Sequence, residues 1–265
     1  MRLATDLPGA LERRELVLHY QPVHTIDGQA LVAVEALMRW EHPTLGLVPP
    51  GSFIPLAEKT GLIVPMGAWA LDEACRQLRE WRDLLGSDQV LQMSVNVSAR
   101  QLADDAFPDM VAQTLARHGI PAGRLVLEIT ESMLVEDLRA EVSRLHQIKE
   151  LGVLLAVDDF GTGYSSLSYL PQFPVDQLKL DKSLVDQIDR PRGRAVAAGI
   201  IDLGRTLGLE MVAEGIEHEH QLLALDALGC ALGQGFHLAR PAAAAATTRR
   251  LTEQVTGRQG VAQLS

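Results

Sequence analysis

Two short apolar runs, ELVLHYQPV (15–23) and QALVAVEAL (29–37), flank the polar stretch HTIDG near the start of the chain. The Asp27-Gly28 pair is a strong turn signal, so these runs are predicted to pair as an antiparallel hairpin. The rhythm then changes. Strand candidates recur at VLQMSVNVS, RLVLEIT, GVLLAVDD, DQLKLD, LEMVAEG and CALGQGF. Helical stretches at 67–85, 102–118, 135–150, 193–207 and 218–228 lie between most of them, the last stopped by Gly229. Continuous apolar strands joined by helices imply a parallel sheet covered on both faces. Eight strands in this length predict an α/β fold, a (β/α)8 barrel whose first strand runs antiparallel. An open doubly wound sheet is the runner-up on pattern alone.

Composition narrows the picture. With 265 residues and 47% hydrophobic content the chain can bury a large core, and no low-complexity linker divides it. A single domain over 1–265 is expected. Residues 1–14 read as a linker or helical lead-in from a longer protein, and the alanine run 242–246 as helix. No apolar run approaches a bilayer-spanning length, and residues 1–15 lack a signal-peptide core. The formal charge of −10 argues against a broad nucleic-acid-binding surface, so an anionic ligand would need a local attraction. Cys75 and Cys230 have no zinc or redox spacing and read as small core residues in a reduced compartment.

The chemistry gathers where strands end. In barrels the C-terminal strand ends converge on one mouth. Here they read Glu35, Asn96, Glu128, Asp158 with Asp159, Lys179, Glu214 and Gln234. Each unpaired buried polar group costs roughly 1–3 kcal/mol, and crowded carboxylates repel unless protonated or bound to cations. Oxygen ligands, one amide and no cysteine suit Mg²⁺ or Mn²⁺, and adjacent aspartates can serve two ions. Taken singly, each residue has a plainer reading: Asp158 as a helix cap, Lys179 as an ion pair, Asn96 and Ser98 as a helix start, Glu214 and Glu217 as solvated acids. The coincidence of so many polar strand ends favours a site. Gly161-Thr162-Gly163 lacks the third glycine of a dinucleotide fingerprint and suits a loop beside the metals, while His218 and His220 in EHEHQ read as an exposed helix start.

The motifs HYQPV, EALMRWEHP, VPPGSFIPLAE, SVNVSARQL, LEITES, DDFGTGYSSL, DQLKLDKSLV, VAEGIE and GQGF, in this order over roughly 15–240, resemble those of the EAL domains, bacterial phosphodiesterases acting on cyclic di-GMP. The resemblance implies a TIM-like barrel and hydrolysis of one phosphodiester bond to linear pGpG with Mg²⁺ or Mn²⁺. Two ions are expected, with Ca²⁺ inhibitory. Carried over by motif, Glu35, Asn96, Glu128 and Asp158 look like metal ligands, Asp159 like the ligand of a second ion, and Glu214 lies in or next to that set. Lys179 is similar to the lysine assigned to activating or orienting the attacking water, Gln234 to a residue supporting that water or the second metal site, and Glu35 and Glu214 share the catalytic centre. Glu131 resembles the glutamate that anchors the glycine loop 160–166, which the family links to metal binding and dimerisation. Gln21, Leu37 and Arg39 match substrate contacts, Arg39 at a phosphate, and Asp181 and Glu217 match acids near the substrate. A homodimer in the cytoplasm is expected, without nucleic-acid polymer or membrane contact by this domain; any membrane anchor of a longer protein lies outside this chain. The segment LARPAAAAATTRRL stands where the family pattern has a more varied acidic and apolar helix after the last strand, a departure that touches stability and not chemistry. Some EAL domains are catalytically silent receptors for cyclic di-GMP, but these usually lack a metal ligand or the lysine, and none is missing here.

Overall fold

The computed structural model describes residues 2–28, 30–86, 91–133, 138–161 and 170–262. Strands β1 (Leu16–Thr25) and β2 (Leu31–His42) form the antiparallel hairpin, with Gln21 opposite Glu35. Its turn is closed by the Gly28 N–H donating to the Thr25 carbonyl at 2.7 Å and by the Thr25 hydroxyl on Asp27 Oδ1. After β3 (Gly46–Val48) come β4 (Gln92–Asn96), β5 (Leu125–Thr130), β6 (Leu154–Phe160), β7 (Gln177–Leu180), β8 (Glu210–Ala213), β9 (Leu232–Gly233) and β10 (Ala242–Ala243). Strand β2 pairs in parallel with β4, and parallel pairing continues in order through β9, which meets β1 antiparallel. Among the described residues this closes an eight-stranded barrel with β3 and β10 as additions, so the open-sheet alternative is excluded. The continuous apolar runs are buried as expected: the first five residues of β5 and all of β7 are inaccessible.

Four features differ from the sequence reading. A helix at Pro50–Thr60 precedes the long helix Ile63–Leu85, although Pro55 sits inside it and local propensity argues against it. The stretch 102–118 is divided into Ala99–Leu102 and Phe107–His118. The alanine run begins as β10, where Ala242 and Ala243 pair with Tyr20 and His19, and turns helical at Ala244. Strand β2 also continues well past Glu35; its extension to His42 pairs with β3 as an arm beyond the barrel.

Residues 2–14 pack against that arm. The helix Arg2–Asp6 leads into a turn whose Leu7, with Ala10, is buried with Trp40 and Phe53. His42 Nε2 lies 3.0 Å from Asp6 Oδ2, and the Trp40 indole donates to Glu15 at 3.0 Å. Cys75 and Cys230 are buried free thiols, pushed up to about 12 and about 11 by burial, which keeps them unreactive.

Candidate active site

Strand β6 is where the regular pattern breaks. Thr130 still pairs with Asp158, but the register against β7 shifts between Val157 and Phe160. Asp159 sits in that irregularity with φ 56°, a left-handed conformation that non-glycine residues adopt at a cost of roughly 1–2 kcal/mol. Aspartate tolerates it better than most, and its N–H is taken by Asp158 Oδ1 at 3.0 Å. Gly161 follows at φ 98°, where a Cβ would lie 2.5 Å from Leu184. Glu131 brackets the turn. Its own N–H donates to the Asp158 carbonyl and its Oε2 accepts from the Gly161 N–H, both at 3.0 Å. Of the loop 160–166 only Phe160 and Gly161 fall within the described residues.

Beneath this turn Lys179 rises from β7, 2% exposed. Its Nζ stands 2.7 Å from Glu128 and Glu214, 3.2 Å from Asp158 and 3.6 Å from Glu35. Burial alone would lower the lysine's pKa, but these carboxylates outweigh it and hold the amine firmly charged. Burial, reinforced by Glu35, pushes Glu128 well above the usual carboxyl range. Glu214 is pushed up to about 8, mainly by burial, against the pull of Lys179. Glu35 goes the other way: burial is outweighed by Lys179 and by amide hydrogen bonds from Gln234 and Asn96, the latter at 2.8 Å. Asp159 is raised by burial and by Asp158.

One ligand atom each from Asp158, Asp159 and Glu214 lie within 4.8 Å of one another. The buried Gln234 Oε1 finds no hydrogen-bond partner among the described residues, although its amide nitrogen bonds Glu35 and, at 3.2 Å, Gln21. Three clustered carboxylates, raised acids beside them and an orphaned carbonyl oxygen are what a hard divalent cation would relieve. The donor set fits Mg²⁺ or Mn²⁺.

A cavity of about 410 Å³ opens over this centre, lined by Gln21, Glu35, Leu37 and Gln234 from the barrel and by Asp158, Asp159 and Glu214. Gln21 is fixed by donating to the Ala239 carbonyl at 3.1 Å. Asp181 and Glu217 reach the same cavity, Asp181 capping the short helix Lys182–Val185 and Glu217 paired to Lys182 at 3.2 Å. A second, more apolar cavity of about 440 Å³ shares Glu35, Leu37 and Asp158, and adds Asn96, Ser98 and the helix Pro50–Thr60. Ser98, not Asn96, caps the following helix. Arg39 lies two positions beyond Leu37 on the same face of β2, yet lines neither cavity; its Nη1 is bonded to the Met38 carbonyl at 2.9 Å. His218 and His220 are an exposed helix start, with His220 paired to Asp189.

Sequence reasoning missed Lys182 and Phe236, which also line the mouth. Phe236 is half exposed, with the Arg240 guanidinium 4.2 Å above its ring. The GQGF motif was visible, but its aromatic residue carried no chemistry on its own.

The sequence profile of the EAL domain matches residues 4–241, nearly the whole chain. The chain belongs to the EAL domain family. This EAL domain is 48% identical over 242 residues to the bifunctional diguanylate cyclase/cyclic di-GMP phosphodiesterase MucR of Pseudomonas aeruginosa, covering 91% of this chain and 35% of MucR. It is 42% identical over 236 residues to the signaling protein YkoW of Bacillus subtilis, covering 89% of this chain and 29% of YkoW. The chain thus spans about a third of the length of these curated relatives. Among solved structures, the PaMucR phosphodiesterase in its c-di-GMP complex superposes with a TM-score of 0.89 at 47% identity, over 93% of this chain and all of that one. The EAL enzyme Bd1971 in its cAMP- and cyclic-di-GMP-bound form gives 0.90 at 33% identity, over 94% of this chain and 68% of that one.

Proposed function

We propose that this EAL domain hydrolyses one phosphodiester bond of cyclic di-GMP to linear pGpG. The observation that carries the reading is the gathering of Asp158, Asp159 and Glu214 within 4.8 Å, directly beside the buried Lys179, at the mouth of the barrel. The likeness to MucR supports the substrate.

Asp158, Asp159 and Glu214, with Glu35, Asn96 and Glu128 behind them, would hold one or two divalent ions. When bound, such ions neutralise phosphate charge and make a water molecule more acidic. The protein's own groups do the rest. Lys179, an ammonium among its four carboxylates, has hydrogens to donate and is placed to orient an oxygen of the attacking water or the phosphate. Glu214, raised by burial before an ion is bound, would give up its proton on binding one and serve as a carboxylate ligand. Gln234 and Asn96 hold both oxygens of Glu35, and Glu131 fixes the turn that carries Asp158 and Asp159. Phe236 offers a ring face to a purine, and the apolar second cavity can take a base.

Mg²⁺ or Mn²⁺ is the proposed cofactor. Ca²⁺, larger and tolerant of looser geometry, permits binding but little turnover. A homodimer and a cytoplasmic location belong to the same proposal; no helix among the described residues is long and apolar enough to cross a membrane. The test is chromatography of the products after incubating purified protein with cyclic di-GMP and Mg²⁺ or Mn²⁺. Linear pGpG is expected. Intact substrate under both metals would reject the enzyme and leave a receptor.

A further inference from the structure

Among the described residues that line the mouth cavity, the acids are Glu35, Asp158, Asp159, Asp181, Glu214 and Glu217, and the single basic side chain is Lys182. Lys179 lies below, already engaged by four carboxylates. The position of Lys182 is built. Its stem crosses Gly215, which adopts φ 65°; a Cβ there would stand 2.4 to 2.7 Å from the Lys182 methylenes. A side chain at 215 would therefore push the lysine off this path. The ammonium ends 2.8 Å from Asp186 and 3.2 Å from Glu217, and the side chain keeps 43% of its exposure.

We propose that Lys182 binds the phosphate of the cyclic dinucleotide that is not being cleaved. The inference rests on the phosphodiesterase reading for its ligand. A cyclic dinucleotide carries two phosphates, and only one can face the Asp158–Asp159–Glu214 cluster at a time. The other stays in a mouth lined with acids, where it is repelled unless a cation meets it. Lys182 can exchange its contact with exposed Glu217 for a phosphate oxygen while Asp186 keeps its own contact with the ammonium and the stem stays seated over Gly215. Lys182 is thus a substrate-binding residue, acting on affinity and not on the chemical step.

The test compares wild type, Lys182→Met and Lys182→Arg by calorimetry in Ca²⁺, with cyclic di-GMP and with guanosine, which has no phosphate. Product formation in Mg²⁺ gives KM and kcat separately. Lys182→Met is expected to weaken cyclic di-GMP binding and raise KM roughly five- to tenfold, as suits a partly exposed charge contact. Guanosine affinity and kcat stay unchanged, Lys182→Arg recovers most of the loss, and the difference shrinks in high salt. Equal affinity of Lys182→Met and wild type for cyclic di-GMP overturns the assignment, as does an equal loss for guanosine. A wild type that binds but hydrolyses nothing in Mg²⁺ or Mn²⁺ overturns the phosphodiesterase reading and leaves Lys182 standing. A wild type that binds no cyclic di-GMP overturns both.

Discussion

Replacing Lys179 by Met removes the one cation that, among the described residues, sits between Glu35, Glu128, Asp158 and Glu214. Two of its contacts, to Glu128 and Glu214, are hydrogen bonds of 2.7 Å in a nearly water-free pocket. Each charged hydrogen bond of this kind is worth roughly 1.5–3 kcal/mol, and stranding a buried charge costs about 3–5 kcal/mol in all. Glu128 and Glu214 can soften the loss by taking up protons, because both are already raised with the lysine present. The loss therefore depends on pH. A carboxyl whose folded pKa exceeds its unfolded value favours the fold below the unfolded pKa and loses that contribution as pH rises through the folded one. In the variant more carboxyls behave this way, so its deficit in chelator-treated protein is expected to grow from about 1–2 kcal/mol at pH 5 towards about 3–5 kcal/mol at pH 8. Denaturant titration at the two pH values measures it. Added Mg²⁺ should recover part of the stability, whereas turnover should stay lower by roughly 10²–10⁴-fold. Equal stability at pH 8, or a deficit largest at pH 5, would refute the charge accounting. Turnover that returns fully with metal would show that Lys179 only balances charge.

Three other outcomes follow from the same geometry. Chelator-treated wild type is expected to lose stability as pH rises from the ordinary carboxyl range to about 8, the folded value of Glu214, while Glu214→Gln flattens that slope; thermal melts across the range check both. Glu131→Ala strips the acceptor from the Gly161 N–H and should cost about 1–3 kcal/mol and weaken metal affinity, with Glu131→Gln closer to wild type; an unchanged metal titration for Glu131→Ala would show that the turn stands without it. Asp159→Asn should keep stability within about 0.5 kcal/mol, because asparagine tolerates the left-handed backbone, whereas Asp159→Ala should lose roughly 1 kcal/mol; both should weaken metal binding alike by calorimetry if the carboxylate is a ligand.

The sequence was most legible where pattern and chemistry coincide. Strands such as 125–130 and 154–160 open on unbroken apolar runs because both faces are buried there, and their first polar residues, Glu128 and Asp158, mark the depth of the mouth. It was least legible where a tertiary partner overrides local preference. The helix Pro50–Thr60 forms despite its prolines because Phe53 and Ala57 bury against Trp40, and this contact builds a wall of the second cavity. Ala242 and Ala243 are good helix formers, yet the open edge of β1 captures them as a strand. Glu35 lies at mouth level although β2 runs on for seven more residues, because parallel pairing with β4 ends at Ala36. Lys182 could not be read as a mouth residue, since the glycine that seats it is thirty-three positions away.

Two adjacent acids at the end of a core strand present a geometric difficulty, because successive side chains of a regular strand point to opposite faces. In a straight β6, Asp158 and Asp159 would diverge, one towards the barrel axis and one towards the surrounding helices. The left-handed turn at Asp159 and the register shift before Phe160 abolish that alternation, and both carboxylates reach the same cavity. Such a turn is unfavourable by itself. It persists because Glu131 holds the backbone on either side, at the Asp158 carbonyl and at the Gly161 N–H, and because Gly161 leaves Leu184 room to pack against it. The repulsion between the acids is then offset from below by Lys179, which reaches Asp158 at 3.2 Å and Glu214 at 2.7 Å without occupying the open side of the cluster. The lysine thus stabilises the acids enough for the barrel to fold, yet leaves Asp159 raised and exposed towards the mouth. A site that were fully neutralised by its own protein would have no remaining affinity for a cation. The partial compensation here is what makes the acidic strand end usable.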